Sequence, residues 1–153
     1  MTEESKTLVV KALRLLWDQG FILTPGGVVA RKGTFAQVLA DREEISLFSD
    51  AYLAFLFNCA AQLTAMANKS SRLRYQPLAF KLKCKLQHWC GQTYGTTLTD
   101  MPISTGAFYL IMMLAGFEHR VTAPQLRFKF EIREEPDHRR RPRSRSPQRE
   151  IEQ

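Results

Sequence analysis

The residues best suited to chemistry in this chain stand close to its end. The stretch HRRRPRSRSPQRE, residues 138–150, holds six arginines: Arg139, Arg140, Arg141, Arg143, Arg145 and Arg149. A guanidinium is always charged, and its planar fork of N–H donors matches a phosphate. Six of them so close together are suited to a polyanion. Ser144 and Ser146 lie among them, next to Pro147. A phosphate on either serine would add about −1.5 to −2 charges and weaken that hold. Alone, the stretch reads equally well as a splicing-type arginine-serine tract, a nuclear address or an RNA-binding arm.

Other chemistries have weaker signals. Cys84, His88 and Cys90 are close in sequence, but a zinc site asks for four ligands, and cysteines on a half-apolar helix are usually small core residues. The loop TPGGVVARKG, residues 24–33, lacks the Walker spacing and the Ser or Thr after its lysine. No nucleophile elbow, HExxH or facing carboxylate pair is present, so no catalytic residue, metal or cofactor is expected. Lys69, Arg72, Arg74, Lys81, Lys83 and Lys85 are six bases with no acid between them. They read as a solvated positive face or as a further contact for nucleic acid.

The totals support a polyanion partner. The 153 residues carry a net charge of +7. Residues 137–153 hold six arginines against Asp137, Glu150 and Glu152, or +3, which leaves +4 for the much longer remainder. A basic tail on a less basic body points to nucleic acid. The opening MTEESK is acidic and polar, unlike a signal peptide. No apolar run approaches the ~18 residues of a membrane span. Three scattered cysteines, Cys59, Cys84 and Cys90, suit a reducing compartment better than a disulfide framework.

The elements that would position these groups read as helical. Leu8, Ala12, Leu15 and Leu16 mark one face of a first helix that begins near Ser5 and stops at Gly20. Thr34 caps a short helix through Phe35, Val38 and Leu39. Residues 49–69 contain neither Gly nor Pro, and Ser49 or Asp50 is a good N-cap. Leu53, Leu56, Phe57, Ala60, Leu63 and Ala67 form one stripe, and Tyr52, Phe55, Cys59 and Met66 form a second. A helix apolar on two sides must be covered twice, and a second copy of the chain is a natural source of the other cover. A second long helix is predicted over residues 72–95, kinked or divided at Pro77. With the turn at residues 68–71 these two make a long antiparallel αα-hairpin. Ser104 or Thr105 opens a last helix that ends near Gly116. LRFKFEIRE, residues 126–134, alternates apolar and charged residues like an extended arm with one oily edge. Residues 1–136 are thus expected to form an all-α assembly domain, and residues 137–153 a disordered nucleic-acid-binding tail.

This order of parts resembles the core, or capsid, protein of hepadnaviruses and their non-enveloped nackednavirus relatives. Four stretches carry the resemblance: NCAAQLTAMA (58–67), KLQHWCGQTYG (85–95), YLIMMLAGFEHRVTAPQLR (109–127) and RRRPRSRSP (139–147). The first two are similar to parts of the family's spike helices, the third to its last helix and the proline-bearing turn, and the fourth to the opening of its tail. The resemblance implies a homodimer in which two hairpins pair into a four-helix bundle, through Tyr52, Phe55, Cys59 and Met66. It implies an icosahedral shell of such dimers, joined by Phe117, Leu126, Phe128 and Phe130, with viral RNA on the tail arginines. A host kinase for Ser144 and Ser146 and the nuclear import machinery are further implied partners; Cys59 reads as a small core residue, or as a disulfide across the twofold where it faces its mate. The implied location is the virion, with the host cytoplasm and nucleus. Two other readings stay open: a cellular RNA-binding adaptor with a short arginine-serine tail, and a viral matrix protein or helical nucleoprotein.

Overall fold

The computed structural model describes residues 2–77, 80–94 and 103–133. Five helices and seven strands are found among them: α1 (Thr2–Asp18), β1 (Phe21–Thr24), β2 (Gly27–Ala30), α2 (Phe35–Glu44), α3 (Asp50–Met66), β3 (Ala67–Asn68), β4 (Tyr75–Gln76), α4 (Phe80–Tyr94), α5 (Thr105–Leu114), β5 (His119–Thr122), β6 (Gln125–Lys129) and β7 (Glu131–Ile132).

Three helices begin as their local sequence dictates. The hydroxyls of Thr34, Ser49 and Ser104 accept from the backbone N–H groups of Gln37, Tyr52 and Ala107, three residues on. Gly20 and Gly116, just past α1 and α5, take φ of +99° and +92°, a left-handed conformation that ends a helix at little cost only for glycine. Phe108, Tyr109, Leu110, Ile111 and Met112 are all buried, so α5 is apolar around its girth and forms the centre of the core. Helix α1 packs on it, burying Val9, Leu13 and Leu16, and α3 packs on it too, burying Leu53, Leu56, Ala60 and Leu63.

The expected all-α class is overturned. Of the described residues 56% are helical and 19% are in strands, arranged as three small antiparallel sheets. Nor is a long hairpin found among the described residues. Helix α3 stops at Met66, one turn early, because Ala67 and Asn68 leave the helix to pair with Ile132 and Glu131. The second helix does not start at Arg72. Tyr75 and Gln76 pair with Lys129 and Phe128, and Pro77 follows. Proline drives the residue before it into extended backbone, which suits Gln76 to a strand. The helix begins only at Phe80 and holds α3 through Leu82, Leu86 and Cys90. With no long hairpin, the four-helix bundle built from two of them has no basis.

The C-terminal arm is corrected in the same way. It is no lone strand seeking a neighbour: β6 is the central strand of the sheet β4–β6–β5, and β7 pairs with β3. Phe117, Leu126, Phe128 and Phe130 are each at most 3% exposed, inside their own protomer. Side chains so enclosed cannot join one dimer to another, and removing the Phe128 ring would cost ~3–5 kcal/mol of folding stability. Cys59 is fully buried too, with its Sγ 3.6 Å from the Cys90 Sγ of the same chain. It is therefore not at a twofold contact. Tyr52, Phe55 and Met66 are half-buried.

The glycine-rich loop turns out to be a β-hairpin, with Thr24 paired to Gly27. It packs where two other backbones come very close. Val28 N–H donates to the Pro124 carbonyl at 2.9 Å, and Gly106 N–H, in the first turn of α5, donates to the Pro25 carbonyl at 3.1 Å. A Cβ on Gly27 would sit 2.2 Å from the Pro124 oxygen, and one on Gly106 1.9 Å from the Thr24 oxygen. Gly27 in the loop, and Gly106 opposite it, thus serve packing.

Candidate nucleic-acid interface

The strand pairing assembles a basic surface from distant parts of the chain. Along β6, Leu126 and Phe128 point into the core, and Arg127 and Lys129 alternate to the outside. In the register of the sheet, Arg120 of β5 lies directly opposite Arg127, and Tyr75 of β4 directly opposite Lys129. Residues directly opposite share a face. The outer face of this sheet is therefore lined by Arg120, Arg127, Lys129 and Tyr75.

Tyr75 organises the face. The Arg120 guanidinium lies 4.3 Å from its ring centroid and the Lys129 ammonium 4.7 Å. Its hydroxyl donates to Glu118 Oε2 at 2.7 Å, and Lys129 Nζ lies 3.4 Å from the same oxygen. The Tyr75 hydroxyl and Lys129 hold the Glu118 carboxyl below the usual carboxylate range. Lys129 also donates to the Ser71 carbonyl at 2.9 Å, which fixes its head beside the basic turn. Lys69 donates to the Ala115 carbonyl, and its ammonium lies 5.6 Å from the Phe117 ring centroid. His119 adds no charge at neutral pH, because burial pushes its pKa below the ordinary value and Glu118 only partly opposes this.

Arg120 and Arg127 are the informative pair. Like charges directly opposite on a sheet are destabilising, and the one carboxylate between the strands' ends, Glu118, is already engaged by Tyr75 and Lys129. Residues 67–77 and 117–133 together hold seven bases, Lys69, Arg72, Arg74, Arg120, Arg127, Lys129 and Arg133, against Glu118 and Glu131. A surface of this sign attracts an extended polyanion.

The described residues end at Arg133, four positions beyond Lys129 of this sheet. Arg133 N–H donates to the Met66 carbonyl at 2.8 Å, and its Nε donates to Asn68 Oδ1 at 2.6 Å. Arg139, Arg140, Arg141, Arg143, Arg145 and Arg149, with Ser144 and Ser146, lie outside the described residues. They begin six positions beyond Arg133 along the chain.

The sequence reading grouped Lys69, Arg72 and Arg74 with Lys81, Lys83 and Lys85. The fold instead brings the turn at Lys69, Ser70 and Ser71 against Lys129, which shares a sheet face with Arg120 and Arg127, a set the sequence reading missed. One signal was available: HRVTAPQLRFK is two short alternating segments around Ala-Pro, a hairpin pattern that sets Arg120 against Arg127. On α4, Cys90 is buried while Cys84 and His88 are exposed, so the three do not converge. Among the described residues no group of three His, Cys, Asp or Glu side chains could hold a metal ion. None of the described helices is long and apolar enough to cross a membrane.

No protein-family model matches the chain, and neither a curated protein nor a solved structure does. The capsid resemblance therefore rests on the four sequence stretches that carry it.

Proposed function

We propose that this protein is a viral structural protein that packages RNA, holding it without sequence preference through a folded basic face and an arginine tail that continues from the same place. The observation that carries the RNA half is the like-charged pair Arg120 and Arg127, directly opposite on the outer face of the sheet, with Lys129 beside them. A phosphate chain supplies the negative charge this pair lacks. The tail arginines extend the contact, and phosphate contacts of this kind position a strand without reading it.

The packaging half is supported by the four capsid-like stretches and by exposed apolar side chains a neighbouring copy could cover, such as Phe80 at 80% and Ile45 at 65% exposure. It no longer draws on a helical hairpin or on the C-terminal arm. No catalytic step is proposed.

The test is a salt series of affinity for a fluorescent single-stranded RNA. Each phosphate neutralised on a single strand contributes about 0.7 to the slope of log K against log salt. Six tail arginines and the three sheet cations give a slope of roughly −6 for the whole protein. Replacing all six tail arginines by alanine leaves roughly −2 from the sheet. If that variant loses all RNA binding at low salt, the sheet face is not part of the interface.

A further inference from the structure

We propose that Cys59 and Cys90 form a site of oxidative modification, closing into an intrachain disulfide that clips α4 to α3. Their Sγ atoms are 3.6 Å apart, and the two residues are 0% and 1% exposed. A disulfide bond is about 2.05 Å long, so the two sulfurs need to approach by only ~1.5 Å between them. They lie on the facing stripes of two packed helices, beside Leu56, Leu63, Leu82 and Leu86. The third cysteine, Cys84, is exposed on the other side of α4.

The pair is also polarised. The hydrogen bond between Cys59 and Cys90, together with burial, holds the Cys59 thiol well above its usual range, while the same bond lowers that of Cys90. Cys90 is therefore the sulfur that ionises and attacks. With a small disulfide such as oxidised glutathione as oxidant, the Cys90 thiolate attacks one sulfur and releases one glutathione thiolate. The Cys59 sulfur, losing its proton, then attacks the mixed disulfide at Cys90 and releases the second. Two protein thiols are oxidised, and one disulfide is reduced to two thiols. Burial sets the rate, because the oxidant enters only when α4 lifts from α3.

Closing a ring across 31 positions constrains the unfolded chain. The chain-entropy model gives a roughly 500-fold lower ratio of unfolded to folded protein, or a melting temperature about 10 °C higher. The proposal is independent of RNA binding.

The experiment uses the full-length Cys84→Ser protein, which leaves only the buried pair. After incubation with oxidised glutathione, the protein is denatured, alkylated and analysed by mass spectrometry and non-reducing electrophoresis. The expected result is a monomer with neither cysteine alkylated, a peptide linking Cys59 to Cys90, and a melting temperature about 10 °C above the reduced form. A Cys59→Ala, Cys84→Ser protein should instead keep glutathione on Cys90. A covalent dimer overturns the proposal, as do free thiols after incubation in denaturant just below the unfolding transition. A linked pair that melts no higher than the reduced protein overturns it equally.

Discussion

Arg120 and Arg127 face one another across two strands, and that juxtaposition opposes folding. The conflict gives a test in which stability and binding move in opposite directions. In Arg127→Glu the repulsive pair becomes an attractive one, so the unfolding free energy from chemical denaturation should rise by up to ~1 kcal/mol. The same substitution should weaken RNA and shorten the salt slope by at least ~0.7. A loss of stability would mean that Arg127 is held by the fold and not kept for a ligand. Single residues were also where the sequence was easiest to read. Thr34, Ser49 and Ser104 each precede an apolar helix with an acceptor at the right spacing, and each caps one. The buried partner of Cys59 was not readable, because Cys90 reaches it only through the packing of α3 on α4.

At the level of elements, the helices were legible because apolar spacing persists over three or more turns. Strands β3 and β4, two residues each, were not. Two residues carry no period, and their partners lie more than fifty positions away, at Ile132 and Lys129. The alternation in LRFKFEIRE was visible, but it says only which edge is oily, not what covers it. Of the two covers open to it, its own domain or a neighbouring subunit, the arm packs on the protomer's own core. The hairpin of β1 and β2 carries a sharper lesson about glycine. Gly106→Ala places a methyl group against the Thr24 carbonyl, and backbone cannot swing aside as a flexible side chain can. A loss of more than ~2 kcal/mol is expected by thermal or urea unfolding. Gly26→Ala, where a Cβ meets nothing within 4 Å, should change stability little.

The whole molecule is a core wrapped around α5 with a basic sheet on its surface and the arginine tract following in sequence. Negative-stain microscopy of purified protein with RNA tests whether many copies act together. Closed particles are expected, and they should hold less RNA when the six tail arginines are replaced. Rods would favour a helical nucleoprotein, and discrete soluble complexes an adaptor. The final strand sets how the two basic parts cooperate. Because β7 is fastened to β3, Arg133, the last described residue, is held against Met66 and Asn68, next in sequence to Lys69. The twenty residues from 134 to 153 can reach at most ~70 Å from that point. If RNA binds both basic parts, as proposed, a strand released by one remains tethered through the other. Each grip is thus a rebinding site for the other at high effective concentration. Escape requires both to open at once, so residence time on RNA should exceed what either provides alone.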